Sequence, residues 1–314
     1  MILDNLKKIK LQPIWIFVVI LIVFFSFSSE FFFEISNFKN IFIQTSTIGL
    51  IALGLTFVMI NGNIDLSVGS MIALSASITI GLQSYGLGYS ITLALIVGVL
   101  FGALNGIIVW KTGVDSFIVT LGAMIGLRGV VFAYTGEQSF YSLDFSFSDF
   151  GSSSLFGIPT LALIFIGFVI IMHFILTKTV HGRYMYAVGG NKVTASNSGI
   201  KVGKHMMMNF MLCGFLAAVA GITLSSQMGA STPNLGRDFE LWAITAVVLG
   251  GTKLTGGAGS IIGTLGGVVA IGILRNGMNL LNIPSFYVLV ILGSILIAVI
   301  YLDSLMKNKM ELSK

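Results

Sequence analysis

The stretch IFIQTSTIGLIALGLTFVMINGNIDLSVGSMIALSASITIGLQS, residues 41–84, contains two apolar runs with a short polar segment between them. The first run covers residues 41–60 and the second covers residues 66–84. A helix needs about 20 mainly apolar residues to cross the hydrocarbon core of a membrane. Both runs approach or reach this length, so the stretch predicts two membrane helices joined through a polar break.

The composition extends this interpretation to the whole chain. Of its 314 residues, 55% are hydrophobic and only 9% are charged, and the mean hydropathy is +0.98. Soluble domains carry roughly 25% charged residues, so a soluble protein is excluded. A disulfide scaffold is excluded as well, because Cys213 is the only cysteine. The 38 glycines suit closely packed membrane helices, since small residues let backbones approach each other.

The apolar runs predict about ten membrane spans in a single transmembrane domain, residues 1–314. They lie at about 13–33, 41–60, 66–84, 90–110, 117–134, 157–177, 205–228, 240–252, 260–281 and 285–302. The eighth run is too short to cross as one straight helix, which predicts that some helices are broken. No small-residue cleavage pattern follows the first run, so we interpret it as a retained anchor. The expected fold is an all-α polytopic membrane protein.

The distribution of basic residues predicts the orientation of these spans. With a cytoplasmic N-terminus and alternating spans, the cytoplasmic segments hold Lys7, Lys8, Lys10, Lys111, Lys178, Arg183, Lys192, Lys201, Lys204, Lys253, Lys307, Lys309 and Lys314. The outer segments hold only Lys39 and Arg237. Because cytoplasmic loops are enriched in Lys and Arg, both termini are predicted to be cytoplasmic. The net charge of +5 therefore reflects membrane topology and not nucleic-acid binding.

Two polar stretches are predicted to lie outside the membrane. Residues 135–156 are rich in Ser, Phe and Asp and would form an outer loop. Residues 178–204 form the longest cytoplasmic segment and carry several basic side chains. From composition alone, this cytoplasmic segment is either a connector or a docking surface for another protein.

The polar break Asn61–Gly69 has two possible interpretations. One is a tight turn at the cytoplasmic face, for which Asn, Gly and Asp supply the geometry. The other is a broken helix whose freed backbone groups and Asp65 line a water-filled path. In the second case Asp65 would serve as the N-cap of the helix that restarts after it.

A similar segment, Gly250–Gly257, occurs in the second half of the chain. It aligns Leu254 with Leu66 and Gly257 with Gly69, again between apolar runs. Paired Gly-interrupted segments in two halves of a chain point to a transport pathway.

Ionisable side chains within apolar runs are candidates for function, because burying them in lipid is costly. Asp65 is the single carboxylate candidate, and it supports an alternative function, an ion-coupled secondary transporter that uses Asp65. Arg128 and Arg275 also lie in apolar runs. We expect structural roles for both arginines, through backbone carbonyls or the membrane interface.

Sequence motifs for several other activities are missing. The chain has no G-x-x-x-x-G-K-[ST] phosphate loop, no H-E-x-x-H and no G-x-S-x-G. No cluster of His, Cys, Asp and Glu has metal-ligand spacing. We therefore expect no enzyme activity, no metal site and no cofactor in this chain, and an energy source on another protein.

Several motifs, taken in order, resemble the permease subunit of ribose and simple-sugar ABC importers. The resemblance runs from about Phe31 to Asp303. Its motifs are Gln44-Thr45-Ser46; Ile64–Ser70; Phe117–Gly122 followed by Leu127-Arg128-Gly129; Gly182-Arg183-Tyr184 with Ala187–Asn191; Ser198-Gly199-Ile200; Ala246–Thr252; and Asn276-Gly277 with Asn279-Leu280-Leu281. Each motif is short, but their order and spacing together are highly specific.

The resemblance implies a ten-helix, multi-pass subunit of the bacterial plasma (inner) membrane. It also implies a second permease copy, in a homodimer or a related heterodimer, with the sugar passing along the dimer axis. A ribose-like pentose or related monosaccharide would be delivered by an extracytoplasmic sugar-binding protein. A separate ABC ATPase subunit would bind the ATP. Membrane lipid is the remaining expected partner, and nucleic acid is not one.

The candidate site residues follow from the resemblance and from the intramembrane polar side chains. For the translocation pathway they are Gln44, Asp65, Ser67, Asn105, Thr120, Asn276 and Asn279. For coupling to the ATPase they are Arg183, Gly190, Asn191, Ser198 and Gly199. Residues 191–202 are similar to the family's cytoplasmic coupling helix, which favours a docking role for the segment 178–204.

The coupling segment departs from the family's pattern. Relatives commonly have Asn-Glu-Ala-Ala where this chain has Asn191-Lys192-Val193-Thr194. Ser196 and Asn197 replace a basic and an apolar residue. Lys192 reverses a charge at the expected docking site, which bears on the identity of the ATPase partner.

Overall fold

The computed structural model describes residues 13–311, with side-chain detail through residue 301. Its helices are α1 (Pro13–Ser28), α2 (Ile35–Ile60), α3 (Val68–Gly81), α4 (Leu87–Thr112), α5 (Ser116–Thr135), α6 (Phe145–Ser152), α7 (Thr160–Lys178), α8 (Val180–Gly190), α9 (Lys192–Asn197), α10 (Val202–Met228), α11 (Phe239–Leu249), α12 (Ile261–Leu280) and α13 (Ser285–Glu311). Four two-residue strands, β1 (Phe140–Tyr141), β2 (Ser154–Leu155), β3 (Ile158–Pro159) and β4 (Ala230–Ser231), form two short ribbons. The predicted all-α class is confirmed.

Each predicted apolar run corresponds to one helix. Within the described residues, six helices are long and apolar enough to cross a membrane, namely α2, α4, α5, α7, α10 and α12. Four shorter apolar helices accompany them: α1, α3, α11 and the part of α13 through Tyr301. The number of helices that cross and the cytoplasmic placement of the termini stay predictions. The basic residues Lys7, Lys8, Lys10 and Lys314, which contributed to that placement, lie outside the described residues.

The centre of the protein is formed by helices that are buried almost all round. In α2, 83% of the apolar span is buried, and α3 is buried from Val68 to Ile80. Helix α10 packs against α2, α3 and α4 and therefore forms the axis of the core. By contrast, only 22% of the span in α5 is buried, and α4 and α7 are similarly exposed. Their exposed Ile, Leu and Phe side chains give the periphery a surface that suits lipid.

Helices α4 and α10 approach closely along a row of glycines. Gly98 and Gly102 are four residues apart on α4, so they lie on one helix face. A methyl group on Gly98 would come within 2.6 Å of the Gly214 carbonyl oxygen of α10. A methyl group on Gly102 would overlap the Phe210 carbonyl oxygen and lie 2.9 Å from the Met211 Cα. Backbone atoms of α10 fill the space beside these glycines, so only residues without a side chain fit there.

The predicted outer loop 135–156 is more ordered than its weak periodicity indicates. It contains β1, which pairs antiparallel with β4 and so joins this loop to the segment after α10. It also contains α6, whose Asp144 cap accepts a hydrogen bond from the Ser146 N–H at 2.9 Å. The Ser226 hydroxyl of α10 donates to the Phe147 carbonyl and fixes α6 against the end of α10. These contacts are non-local and left no periodic pattern in the sequence.

We expect Gly102→Val to destabilise the isolated subunit. The added side chain must push α4 away from the α10 backbone, and overpacking of this kind costs about 1–3 kcal/mol. Thermal unfolding in detergent should show a clearly lower midpoint. Gly167→Val in α7 is the matched control, since a Cβ there meets nothing within 4 Å. Equal midpoints for the two variants would contradict this account of α4 and α10.

Candidate functional site

The break between α2 and α3 is buried inside the bundle. Gly62 takes a positive φ of 76°, and the Asn63 N–H turns back to the Val58 carbonyl at 3.1 Å. Asn61, Asn63 and Asp65 are all at most 4% exposed. Helix α3 packs against α10, α4 and α5. Burial and packing favour a broken helix over a tight turn at the protein surface.

Asp65 lies at the centre of a hydrogen-bonded network within the break. Its Oδ1 accepts from the Ser67 N–H at 3.0 Å and from the Ser67 hydroxyl at 2.6 Å. The Asn105 side chain of α4 donates to the same hydroxyl at 3.0 Å. Asp65 Oδ2 is buried without a hydrogen-bond partner among the described residues. Three of the predicted pathway residues therefore form one cluster, which ties α4 to the break.

The prediction that Asp65 is the N-cap of the restarted helix is wrong by two residues. Ser67 is the N-cap residue of α3, and its own side chain makes no capping bond. Asp65 lies two residues earlier and accepts the N–H of the cap residue itself. The carboxylate thus closes a local Asx turn that starts the helix.

Helix α5 holds the other side of the break. The Ser116 hydroxyl accepts from the Ile64 N–H at 2.9 Å, and the Thr120 hydroxyl donates to the Ile64 carbonyl at 3.3 Å. One further turn along α5, the Met124 carbonyl accepts from the Ser70 hydroxyl at 2.7 Å. Thr120 is one of the predicted pathway residues, whereas Ser116 was not predicted. Their spacing of four residues on one helix face is the signal that identifies the pair.

The remaining predicted pathway residues lie apart from this cluster. Asn276 of α12 donates to the Asn37 side chain of α2 at 2.8 Å, and Asn37 donates to the Phe32 carbonyl at 2.9 Å. Gln44 is partly buried, with an Oε1 that has no partner among the described residues, and Asn279 is exposed. Asn37 lies in none of the sequence motifs. Among the described residues, no hydrogen bond joins this group to the Asp65 cluster.

The two Gly-interrupted segments that resemble each other in sequence are neighbours in space. The Gly257 N–H donates to the Ile60 carbonyl at 2.8 Å. A Cβ on Gly62 would lie 3.3 Å from the Thr255 carbonyl oxygen. A Cβ on Gly256 would lie 2.8 Å from Gly62 Cα. The two halves of the chain thus meet at their breaks.

Arg128 contacts backbone carbonyls, as predicted, whereas Arg275 makes contacts of a different kind. Arg128 donates to the Pro233 carbonyl at 2.8 Å and to the Leu235 carbonyl at 3.0 Å, which holds the segment before α11. Arg275 lies over the rings of Phe239 and Trp242, at 5.5 and 5.8 Å from the centroids. Cation–π contacts of this type stabilise a partly desolvated guanidinium.

The predicted coupling segment forms the exposed helix α9 with well-defined ends. Asn191 caps it by accepting the Thr194 N–H at 2.9 Å. Gly199 ends it with a φ of 83°, and the Ile200 N–H donates back to the Ala195 carbonyl at 3.1 Å. All five predicted coupling residues, Arg183, Gly190, Asn191, Ser198 and Gly199, are exposed. The helix is therefore presented on the surface in a fixed shape.

A histidine pair, which the sequence analysis missed, joins α8 to the start of α10. His181 Nδ1 lies 2.7 Å from His205 Nδ1, and His181 Nε2 lies 2.9 Å from Asn209 Oδ1. Burial lowers the pKa of His181, which favours its neutral ring. The pair fixes the exposed coupling segment to the core.

A polar cavity of about 460 Å³ lies between the break and the coupling segment. Its lining includes Asn63 of the break, Trp110, Asp115, Ser116 and Lys192 of α9. Within the described residues, no group of three or more His, Cys, Asp or Glu side chains has the arrangement of a metal site.

Comparison with known proteins identifies the family. Residues 37–300 match the family described as "Branched-chain amino acid transport system / permease component". The chain belongs to this permease family. The ribose import permease protein RbsC of Bacillus subtilis (strain 168) is 41% identical over 301 residues, which cover 94% of this chain and 92% of that protein. No solved structure matches the chain significantly.

Two further relatives carry the names of other sugars. The D-allose transport system permease protein AlsC of Escherichia coli (strain K12) is 36% identical, covering 95% of this chain and 93% of that protein. The xylose transport system permease protein XylH of the same strain is 30% identical, covering 98% of this chain and 95% of that protein. The predicted resemblance to ribose-type ABC permeases is confirmed, as is the multi-pass inner-membrane localisation. The family is one of transport permeases and not of enzymes.

We expect Ser67→Ala to destabilise the permease. The substitution removes the hydroxyl that donates to Asp65 and accepts from Asn105, so two buried polar groups lose a partner at a cost of about 1–3 kcal/mol each. Thermal unfolding of the detergent-solubilised protein measures this loss. Ser153→Ala, at an exposed site, should change the midpoint little. A Ser67→Ala midpoint equal to that of the wild type would contradict the network.

Proposed function

We propose that this permease is the transmembrane subunit of an ABC importer for a small sugar, a ribose-like pentose or a related monosaccharide. An extracytoplasmic binding protein delivers the sugar, and a separate ATPase subunit binds ATP and drives transport. The names of the relatives, which refer to ribose, D-allose and xylose, support a monosaccharide substrate. On this proposal the permease itself needs no cofactor.

The observation that carries this proposal is the exposed, capped helix α9. A helix of six residues is too short to be stable in water by itself. Here the Asn191 cap, the Gly199 end and the buried Ala195 hold it in one shape on the surface. A rigid projection of this kind suits a groove on a partner protein, and it can pass a rigid-body movement to the bundle. Arg183, Gly190 and Ser198 complete the proposed contact surface with the ATPase.

The proposed translocation pathway runs past the broken helix towards the polar cavity. Ser67, Asn105 and Thr120 supply hydrogen-bonding groups around the break. Asp65 holds Ser67, which accepts from Asn105, and Thr120 donates to the Ile64 carbonyl. The cavity beside Asn63 presents amide, hydroxyl and carboxylate groups that suit sugar hydroxyls. On this proposal Gln44, Asn276 and Asn279 contribute further weak contacts along the route. Weak contacts suit a conduit that must release its solute.

A second permease copy, in a homodimer or a related heterodimer, would complete the pathway. The joined outer segments 135–156 and 229–240 offer a single surface for the binding protein, since β1 and β4 pair across them. Lipid covers the exposed faces of α4, α5 and α7. Nucleic acid is not a proposed partner.

One observation favours a second candidate function, the ion-coupled secondary transporter that uses Asp65. Asp65 Oδ2 is buried without a partner among the described residues, as an ion- or proton-binding carboxylate would be before loading. Against this, Asp65 Oδ1 accepts two hydrogen bonds from Ser67 and has a structural role without any ion.

Reconstitution with radiolabelled ribose distinguishes the two functions. Proteoliposomes that contain the permease, its ATPase and its binding protein should accumulate ribose only with ATP, and no ion gradient should replace ATP. Asp65→Asn should keep most of this uptake, because the amide oxygen still accepts from Ser67. Gradient-driven uptake by the permease alone, lost in Asp65→Asn, would establish the secondary transporter instead.

We expect Gly199→Val to uncouple ATP hydrolysis from uptake and leave the membrane bundle folded. A β-branched residue at φ 83° costs about 1–3 kcal/mol, which favours another ending for α9 and alters the docking surface. Ribose uptake and ATP hydrolysis by the reconstituted complex are measured together. The amount of ribose taken up per ATP hydrolysed should fall.

Gly157→Val is the control for backbone strain alone. Gly157 has a φ of 80°, a Cβ there meets nothing within 4 Å, and it lies between β2 and β3, away from α9. This variant should keep the wild-type ratio of uptake to hydrolysis. A normal ratio in Gly199→Val would count against the coupling role of residues 191–202.

A further inference from the structure

The backbones of three glycine-containing segments are in contact with one another. They are the end of α2 at Ile60–Gly62, the end of α8 at Gly189–Gly190, and the loop 255–259 between α11 and α12. A Cβ on Gly189 would overlap the Ile60 carbonyl oxygen and lie 2.6 Å from the Gly257 nitrogen. We call this contact the glycine junction, and it places Gly189 between the two breaks.

The glycine junction is held by hydrogen bonds on two sides. The Gly257 N–H donates to the Ile60 carbonyl at 2.8 Å, directly beside Gly189. The Tyr186 hydroxyl, one turn earlier on α8, donates to the Gly259 carbonyl at 2.8 Å. A Cβ on Gly257 would lie 3.1 Å from Gly190 Cα, so the loop 255–259 also lies close to the end of α8. The contact is made by main-chain atoms, which cannot rotate away as side chains can.

Helix α9 follows the junction after one residue. Helix α8 ends at Gly190, and Asn191 is both its C-cap and the N-cap of α9. Only Gly190 and Asn191 therefore separate Gly189 from α9 along the chain. Close-packed groups transmit a displacement and do not absorb it.

We propose that Gly189 is a positioning residue that transmits the movement of α9 to both breaks at once, a role that rests on the proposed function. The Ile60 carbonyl ends α2 at the first break, and the Gly257 amide belongs to the second. Because both touch Gly189, the two halves of the pathway move together when the ATPase moves α9. A residue larger than glycine separates the breaks from α8 and weakens this transmission.

The test is the amount of ribose transported per ATP hydrolysed by the complete complex in proteoliposomes. Gly189→Ala should lower this ratio by at least about fivefold, the lower end of typical coupling between sites. ATP hydrolysis itself should continue, because α9 is still presented to the ATPase. Gly167→Ala in α7, where a Cβ meets nothing within 4 Å, should keep the wild-type ratio.

Tyr186→Phe provides a second variant that adds no atoms to the junction. It removes only the hydroxyl that donates to the Gly259 carbonyl, so it should assemble normally and lower the ratio in the same direction, by a smaller factor. If Gly189→Ala does not assemble, the ratio measured for Tyr186→Phe decides whether the glycine junction transmits the movement of α9. A purely structural role would lower the amount of complex but leave the ratio unchanged.

The outcomes separate this proposal from the proposed function. Wild-type ratios in Gly189→Ala, or in Tyr186→Phe where Gly189→Ala does not assemble, would overturn the role of Gly189 and leave the importer intact. Failure of the wild-type complex to accumulate any of ribose, D-allose and xylose with ATP would overturn the proposed function, and the role of Gly189 with it.

Discussion

Non-helical backbone buried in a membrane protein must find its hydrogen-bond partners within the protein, because lipid supplies none. Several amides of the break after α2 meet this requirement. The Asn63 N–H bonds to the Val58 carbonyl, the Ile64 N–H to the Ser116 hydroxyl, and the Ser67 N–H to Asp65. Val58 lies in α2, Ser116 lies in α5, and Asp65 holds the N-cap residue of α3, so these bonds tie all three helices to the break.

This constraint explains why one carboxylate is acceptable in so apolar a chain. Asp65 accepts an amide and a hydroxyl of Ser67, and that hydroxyl in turn accepts from Asn105. A buried polar network stabilises a structure only when its members find partners. Within this network the Asp65 Oδ2 is the exception, since it is buried without a partner among the described residues.

The glycines have a corresponding role wherever two backbones meet. Along α4 and α10 they let two membrane helices approach closely, and at the breaks they let loops of the two halves touch. The first kind of contact stabilises a fixed core. The second brings the end of α8 against the backbone of both breaks.

The sequence alone determined the membrane class, the ten apolar segments, the position of the first break and the family, because hydropathy and local motifs are properties of consecutive residues. It also indicated that Gly250–Gly257 resembles the first break. Only the tertiary structure decided that the two breaks touch, that Ser116 and Asn37 are partners of predicted residues, and that Gly189 lies between both halves. Such contacts join residues that are far apart in the chain. Contacts of this kind produce no periodic pattern in the sequence, so hydropathy and local motifs do not predict them.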